Sequence, residues 1–137
     1  MRSALYICCA ALLAACSQKA VFKPQSGYPP DPWVKGYSQS DDCLGGENLA
    51  TRRFYLPEYP RRAFNSGRQG WVIMRLDVNA TGELENVSIE RSVPEGMFDS
   101  ISLKTVEGWL FEPPVTGRLE NCRVLFRFRA GEVTLGS

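Results

Sequence analysis

The chain has 137 residues, 16 basic and 15 acidic side chains, and no histidine. After an apolar N-terminal run and a proline-rich stretch, about 90 residues remain, which is enough to build one domain. The balance of charge argues against nucleic-acid binding, which needs a basic excess on one face. The sequence also lacks a nucleophile elbow, a Gly-rich phosphate loop and locally paired carboxylates, so we expect no enzymatic activity, no cofactor and no metal.

The first sixteen residues indicate export. Residues 4–15 are apolar, and Leu13 to Cys16 places small residues directly before a cysteine, which resembles the lipobox of bacterial lipoproteins. A membrane-spanning helix needs roughly 20 apolar residues, so residues 1–15 are predicted to be a cleaved signal peptide. The resemblance implies that Cys16 carries acyl chains, palmitate among them, and that the protein is held in the outer membrane facing the periplasm. An ordinary cysteine near a secretory cleavage site is the alternative.

Two cysteines remain once the signal is removed and Cys16 is acylated. They are Cys43 and Cys122, and in a compartment that oxidises thiols we expect them to form a disulfide. In the chain-entropy account, a closed loop of this length is worth roughly 4 to 5 kcal/mol, which is comparable to the stability of a small domain. A redox or metal role would need histidine or a close second cysteine.

Residues 16–42 are predicted to be a lipidated tether. They show no apolar period and contain four prolines, at positions 24, 29, 30 and 32. A flexible coil of some 26 residues spans roughly 28 Å, whereas a polyproline-like stretch of that length approaches about 80 Å. Three aromatic residues of this stretch either pack on the domain that follows or form a ligand for a partner. They are Tyr28, Trp33 and Tyr37.

Residues 43–137 are predicted to form the folded domain. Residues 47–57 show no clear pattern, although a short apolar run within them suits an extended segment. Pro60 suits the first turn of a short helix through Ser66, which Gly67 ends. Residues 72–78 then show the period of two that is typical of a half-buried strand.

A hairpin, a longer helix and a last strand complete the prediction. Residues 84–92 pair back after a turn at residues 79–82. From Phe98 to Leu110, apolar residues at spacings of three and four indicate a helix that packs on a sheet. From Cys122 to Arg129, core residues alternate with mostly basic ones. The expected fold class is α+β, with a three-stranded antiparallel sheet packed against one long and one short helix.

The motifs between Tyr59 and Pro113 follow a distinctive order. Tyr59-Pro60 is followed by Ala63, Gly70, the hairpin and finally Trp109 to Pro113. In this order the residues resemble the C-terminal domain of TonB, a periplasmic protein that grips outer-membrane transporters. The resemblance implies the same α+β fold. It also implies that an extended peptide of a β-barrel transporter adds to the last strand of the sheet.

The resemblance places the partner-binding residues on the last strand. By position, the binding edge runs from Arg123 to Arg129, with Tyr59 and Pro60 on the adjoining surface. Arg123, Arg127 and Arg129 would then select carboxylate-bearing partners through charge-assisted bonds. Alternatively, these arginines are solvated and prevent unwanted strand pairing. An exposed edge also makes a homodimer plausible.

Before Cys43 the chain departs from TonB. A removable signal and a short tether stand where TonB has a long N-terminal helix and a spacer rich in Lys-Pro and Glu-Pro. We therefore expect an outer-membrane lipoprotein whose TonB-like domain binds an envelope protein, such as a β-barrel transporter or a secretion component, by strand addition. Two alternatives stay open. They are a TonB-type energy transducer coupled to ExbB and ExbD, and a structural lipoprotein that contacts peptidoglycan.

Overall fold

The computed structural model describes residues 18–32 and 51–136. Cys16, Cys43, Trp33 and Tyr37, and the predicted signal peptide, lie outside these residues. The elements of the described residues, in chain order, are β1 Thr51–Arg53, α1 Arg61–Asn65, β2 Gly70–Val78, β3 Leu84–Val93, α2 Asp99–Val106, β4 Leu110–Phe111, β5 Leu119–Arg129 and β6 Glu132–Leu135. The short helix after Pro60 and the hairpin around residues 79–82 are therefore confirmed.

Four antiparallel strands form the main sheet, in the order β3-β2-β5-β6. β2 lies inside the sheet and pairs along its length with β5, from Gly70 opposite Phe128 to Val78 opposite Leu119. On its other side β5 pairs with β6, from Phe126 opposite Leu135 to Arg129 opposite Glu132. The prediction of a three-stranded sheet is therefore wrong, because the chain turns back once more after β5.

The turn that adds β6 has a weak sequence signal. Ala130 and Gly131 both have positive φ, 52° and 83°. Two successive residues of this kind suit a two-residue hairpin, but alanine seldom adopts that conformation. Tertiary packing supports the turn, since a side chain at Gly131 would meet Phe22 at 2.8 Å and Phe64 at 2.7 Å. A residue 109 positions earlier in the chain thus helps to position the last hairpin.

The second helix is shorter than its apolar pattern predicts. α2 ends at Val106, and Leu110 and Phe111 form β4, which pairs with β1. The Phe111 N–H also donates to the Gly82 carbonyl at 2.9 Å. A helix through Leu110 is wrong because these main-chain groups bond to distant segments instead of to the preceding turn.

The core lies on the face of the sheet that the helices cover. Alternate β2 residues point into it, as the period of two predicts. Phe98 at the start of α2 stacks on Phe128 of β5 with ring centres 4.2 Å apart, and both are fully buried. The first half of β2 is buried on its other face too, where Trp71 and Ile73 pack together. An N-terminal segment provides that second covering.

Candidate functional site

Residues 22–31, called the strap below, lie against the domain. The Phe22 ring contacts Tyr59 and Phe64, with ring centres 5.5 and 5.4 Å away. The Gln25 N–H donates to the Gly67 carbonyl at 2.9 Å. At the other end of the strap, the Trp71 indole N–H donates to the Pro30 carbonyl at 3.0 Å. This part of the stretch predicted as a tether is therefore packed on the sheet.

Tyr28 fills the centre of the strap's contact with the sheet. It packs against a cluster formed by Trp71, Ile73 and Leu125, each nearly fully buried. Of the two interpretations of Tyr28, packing on the domain is confirmed. Leu125 was predicted to lie on a basic face, and its burial shows that the strap turns part of this face into a second, smaller core.

Gln69 connects the strap to the β5–β6 turn. Its side chain is 7% exposed. The amide nitrogen donates to the Ser26 carbonyl at 2.8 Å, and the amide oxygen accepts from the Ala130 N–H at 2.8 Å. A buried amide with both ends bonded stabilises its site, whereas an unpaired one costs about 1–3 kcal/mol. Nothing in the sequence distinguishes Gln69 from an ordinary surface glutamine.

Each of the three arginines of β5 contacts another side chain of the same chain. Arg127 Nε lies 3.0 Å from Asp31 Oδ1, and the Arg129 guanidinium lies 5.2 Å from the centre of the Tyr28 ring. Arg123 Nε donates to Glu90 Oε2 at 2.6 Å. Arg123 and Arg127 are half-buried, whereas Arg129 is exposed, and the role of the three in selecting a partner or preventing strand pairing stays a prediction. Arg127 and Arg129 hold the strap, and Arg123 joins β5 to β3 across the sheet.

Electrostatics make the strap contact sensitive to acid. Burial alone would raise the pKa of Asp31, but hydrogen bonds from Tyr28 and Arg127 outweigh burial and hold that pKa below its usual range. Burial and the bond to Asp31 raise the pKa of Tyr28, which stays a donor at 2.7 Å. When folding lowers the pKa of a carboxyl group, the ionised carboxylate stabilises the docked strap at pH values above the ordinary pKa of that group. This stabilisation is lost as the pH falls through the pKa that the group has in the folded protein. Strap docking therefore weakens in acid.

The strand edge predicted to bind a partner is covered by β6. Phe126 to Arg129 pair with β6 on the side opposite β2. The prediction that β5 is the edge from Arg123 to Arg129 is therefore wrong over these four residues. Within residues 18–32 and 51–136, β6 pairs only with β5, so β6 is the edge strand on this side. An edge strand presents main-chain N–H and C=O groups to which another strand can pair.

Tyr59 joins the strap, α1 and the sheet. Its ring makes edge contacts with four aromatic rings, those of Phe22, Phe64, Phe98 and Phe128. Its hydroxyl donates to the Arg68 carbonyl. Burial raises the pKa of Tyr59 to about 12, so it remains a donor at neutral pH. Pro60 directly precedes α1 and fixes where that helix begins. Both residues have structural contacts that account for their positions.

Two of the open cavities among the described residues lie beside the helices. One, of about 480 Å³, is lined by Pro60, Arg62, Arg68 and Met97, among others. The other, of about 380 Å³, lies beside α2. Within the described part of the chain, no three side chains of metal-ligating type come together, and no helix has the length and apolar character needed to cross a bilayer.

Comparison with known proteins gives consistent matches. Residues 55–129 match the family described as Gram-negative bacterial TonB protein C-terminal. Protein TonB of Xanthomonas campestris pv. campestris is 33% identical over 84 residues, which are 61% of this chain and 37% of that protein. Protein TonB of Pseudomonas aeruginosa is 31% identical over 74 residues, 54% of this chain and 22% of that protein. The chain therefore matches well under half the length of these curated relatives.

A solved structure supports the same assignment. The solution NMR structure of the Pseudomonas aeruginosa TonB C-terminal domain superposes with a TM-score of 0.53 at 28% identity, over 61% of this chain and 88% of that one. The family match ends at Arg129, so the strap and β6 lie outside it. It nevertheless covers more than half of the chain and includes the central strands and both helices. The chain belongs to the Gram-negative bacterial TonB protein C-terminal family.

Proposed function

We propose that this chain is an outer-membrane lipoprotein whose TonB-like domain binds an extended segment of a periplasmic or barrel-forming envelope protein by strand addition. The observation that carries the proposal is the edge strand β6 on a sheet of the TonB C-terminal type. A peptide that pairs at such an edge gains main-chain hydrogen bonds with few demands on its sequence. The domain itself catalyses nothing and binds no cofactor in this proposal.

β6 suits either of two forms of strand addition. It is four residues long, and its Glu132 and Thr134 are exposed, while Val133 and Leu135 are half-buried against the core. A partner strand can extend the sheet beyond β6. It can also take the place of β6 on β5, since a strand of four residues loses few hydrogen bonds when it leaves. Removing β6 distinguishes these two forms.

We expect deletion of residues 132–137 to change peptide capture at least about tenfold, because one added strand of several hydrogen bonds is worth more than about 1.4 kcal/mol. Capture would be measured on an array of N-terminal segments from the β-barrel transporters of the same cell. Lost capture means that the partner pairs on β6, and increased capture means that it replaces β6. Thr134→Ala, which leaves the main chain of β6 intact, is the control. Equal capture by the full and the shortened chain would exclude this edge.

The relatives support a second function, energy transduction to outer-membrane transporters, because the curated matches are TonB proteins. A transducer transmits force to its C-terminal domain from an anchor in the inner membrane. An outer-membrane lipoprotein instead holds its domain at the membrane where β-barrels lie. The two functions therefore differ first in the membrane that carries the chain. A structural lipoprotein would sediment with purified sacculi, which a peptide-binding module would not do.

We expect labelled palmitate to appear on the wild-type chain in the outer-membrane fraction and to be absent from Cys16→Ala, which should be lost from the outer membrane. The reason is that more than one acyl chain on Cys16 supplies stable membrane attachment, and the variant has none. Cys43→Ala is the matched control and should keep both the label and the location. If the wild-type chain itself were found in the inner membrane without the label, transduction would be favoured over a lipid-anchored module.

A further inference from the structure

The docked strap limits the distance between the domain and an anchor at Cys16. Six residues of chain lead from Cys16 to Phe22, and a fully extended chain covers at most about 20 Å over that length. Phe22 is held by Tyr59 and Phe64 and fills the space beside Gly131. If the whole stretch to residue 42 were undocked, it would reach about 80 Å. Docking therefore keeps the end of the domain that contains α1 and the β5–β6 turn nearest to the anchor.

This end of the domain carries a basic surface. Its five cations are all exposed, and no ion pair of the described residues involves them. They are Lys19, Lys23, Arg61, Arg62 and Arg68. The Lys23 carbonyl lies over Gly67, two residues beyond α1, so the strap lysine and the helix arginines lie at the same end of the domain. Three exposed acidic residues belong to neighbouring segments, which leaves an excess of cations. Glu58 precedes α1, Glu95 precedes two residues that line a cavity with Arg62 and Arg68, and Glu132 begins β6.

The opposite end of the sheet has a different charge arrangement. The turn at residues 79–82 lies at the other end of β2, nine residues or about 30 Å away. There, Arg118 pairs with Asp77, Glu85 and Glu120. The charges at this end therefore bond within the domain, whereas no ion pair of the described residues involves the five cations of the basic surface.

We infer that the basic surface lies on the membrane that holds Cys16 and binds the anionic headgroups of its lipids. The inference depends on the proposed acylation of Cys16. Each exposed lysine or arginine close to an anionic bilayer increases the partitioning of a protein from water to that bilayer roughly fivefold. Several such residues on one surface therefore orient a domain that is already tethered. The strap then sets orientation as well as distance, and it places the β5–β6 hairpin beside the bilayer from which barrel proteins emerge.

Photocrosslinking of the acylated full chain tests this orientation. The chain is produced in a Gram-negative host, extracted from the envelope, and its acylation at Cys16 is verified by mass spectrometry. Benzoylphenylalanine replaces either Asn65 at the end of α1 or Ala80 in the distant turn, both of which are exposed. Each protein is placed in nanodiscs of phosphatidylcholine with or without phosphatidylglycerol and is then irradiated.

We expect lipid adducts at position 65 to exceed those at position 80 at least about fivefold in anionic nanodiscs. The double variant Arg61→Glu/Arg62→Glu should remove most of that difference in anionic nanodiscs. Nanodiscs of phosphatidylcholine alone should do the same for the wild-type surface. Arg52→Glu with Arg53→Glu, on the distant β1, is the matched control and should preserve it. Equal adducts at both positions, or no dependence on lipid charge, would overturn the inference while leaving the anchor intact. A chain without acyl groups would overturn the anchor as well, and the mass measurement shows this before irradiation.

Discussion

Cys43→Ser is expected to lower the free energy of unfolding by about 2 to 5 kcal/mol, because the proposed disulfide to Cys122 closes a loop of some 80 residues in the unfolded chain. Cys122 is fully buried on β5. A bond at that position would join residues before β1 to a strand in the middle of the sheet. Urea unfolding of wild type and variant under oxidising conditions measures the change.

Reduction provides the control for this disulfide. Dithiothreitol should destabilise the wild type to the level of Cys43→Ser and leave the variant unchanged. Cys43→Ser is preferable to Cys122→Ala, because truncation of a buried side chain adds a cavity cost of its own. Equal unfolding midpoints, together with two free thiols by alkylation and mass spectrometry, would contradict the disulfide.

Phe128→Ala is expected to cost about 3 to 5 kcal/mol, since it removes a fully buried ring at the centre of the core. Phe128 stacks on Phe98 at 4.2 Å and contacts Tyr59 at 5.7 Å between ring centres. The substitution therefore loosens α2 and, through Tyr59, the support for Phe22. Chemical denaturation gives the loss of stability, and protease cleavage within residues 18–32 reports release of the strap.

Tyr59→Phe is the matched control for Phe128→Ala. It keeps the ring and removes only the hydroxyl that donates to the Arg68 carbonyl. The expected cost is about 0.5 to 1.5 kcal/mol, the net contribution of one hydrogen bond, because the Arg68 carbonyl is exposed and can bond water instead. If Phe128→Ala cost less than Tyr59→Phe, the aromatic stack would not be the main support of this region.

Docking of the strap changes how the tether acts. If the arginines of β5 bind a partner at the sheet edge, as the sequence predicts, charge reversal at Arg127 and Arg129 should weaken that binding. In the structure these residues hold Asp31 and Tyr28, so reversal would release the strap. A loss of partner capture in such a variant would combine two effects. Deletion of β6 keeps both arginines and their partners Asp31 and Tyr28 in the chain and is the cleaner test of the edge.

The sequence by itself determined several local elements and the family. The period of two in β2, the turn at Gly82, the helix between Pro60 and Gly67, and the alternation in β5 are short-range patterns that burial on one face imposes. The order of motifs from Tyr59 to Pro113 was enough to identify the TonB C-terminal family. These signals lie within a few residues of the structure that they specify.

Only the tertiary structure decided the features that depend on partners distant in the chain. α2 stops early because Leu110 and Phe111 pair with β1, and the Ala130-Gly131 turn packs against Phe22 and bonds to Gln69. In the sequence, the arginines of β5 look like a free basic face. In the structure, Arg127 contacts Asp31, 96 positions earlier in the chain, and Arg129 contacts Tyr28, 101 positions earlier. Side-chain alternation shows which residues share a face of a strand. It does not show what covers that face, because the covering residues come from elsewhere in the chain.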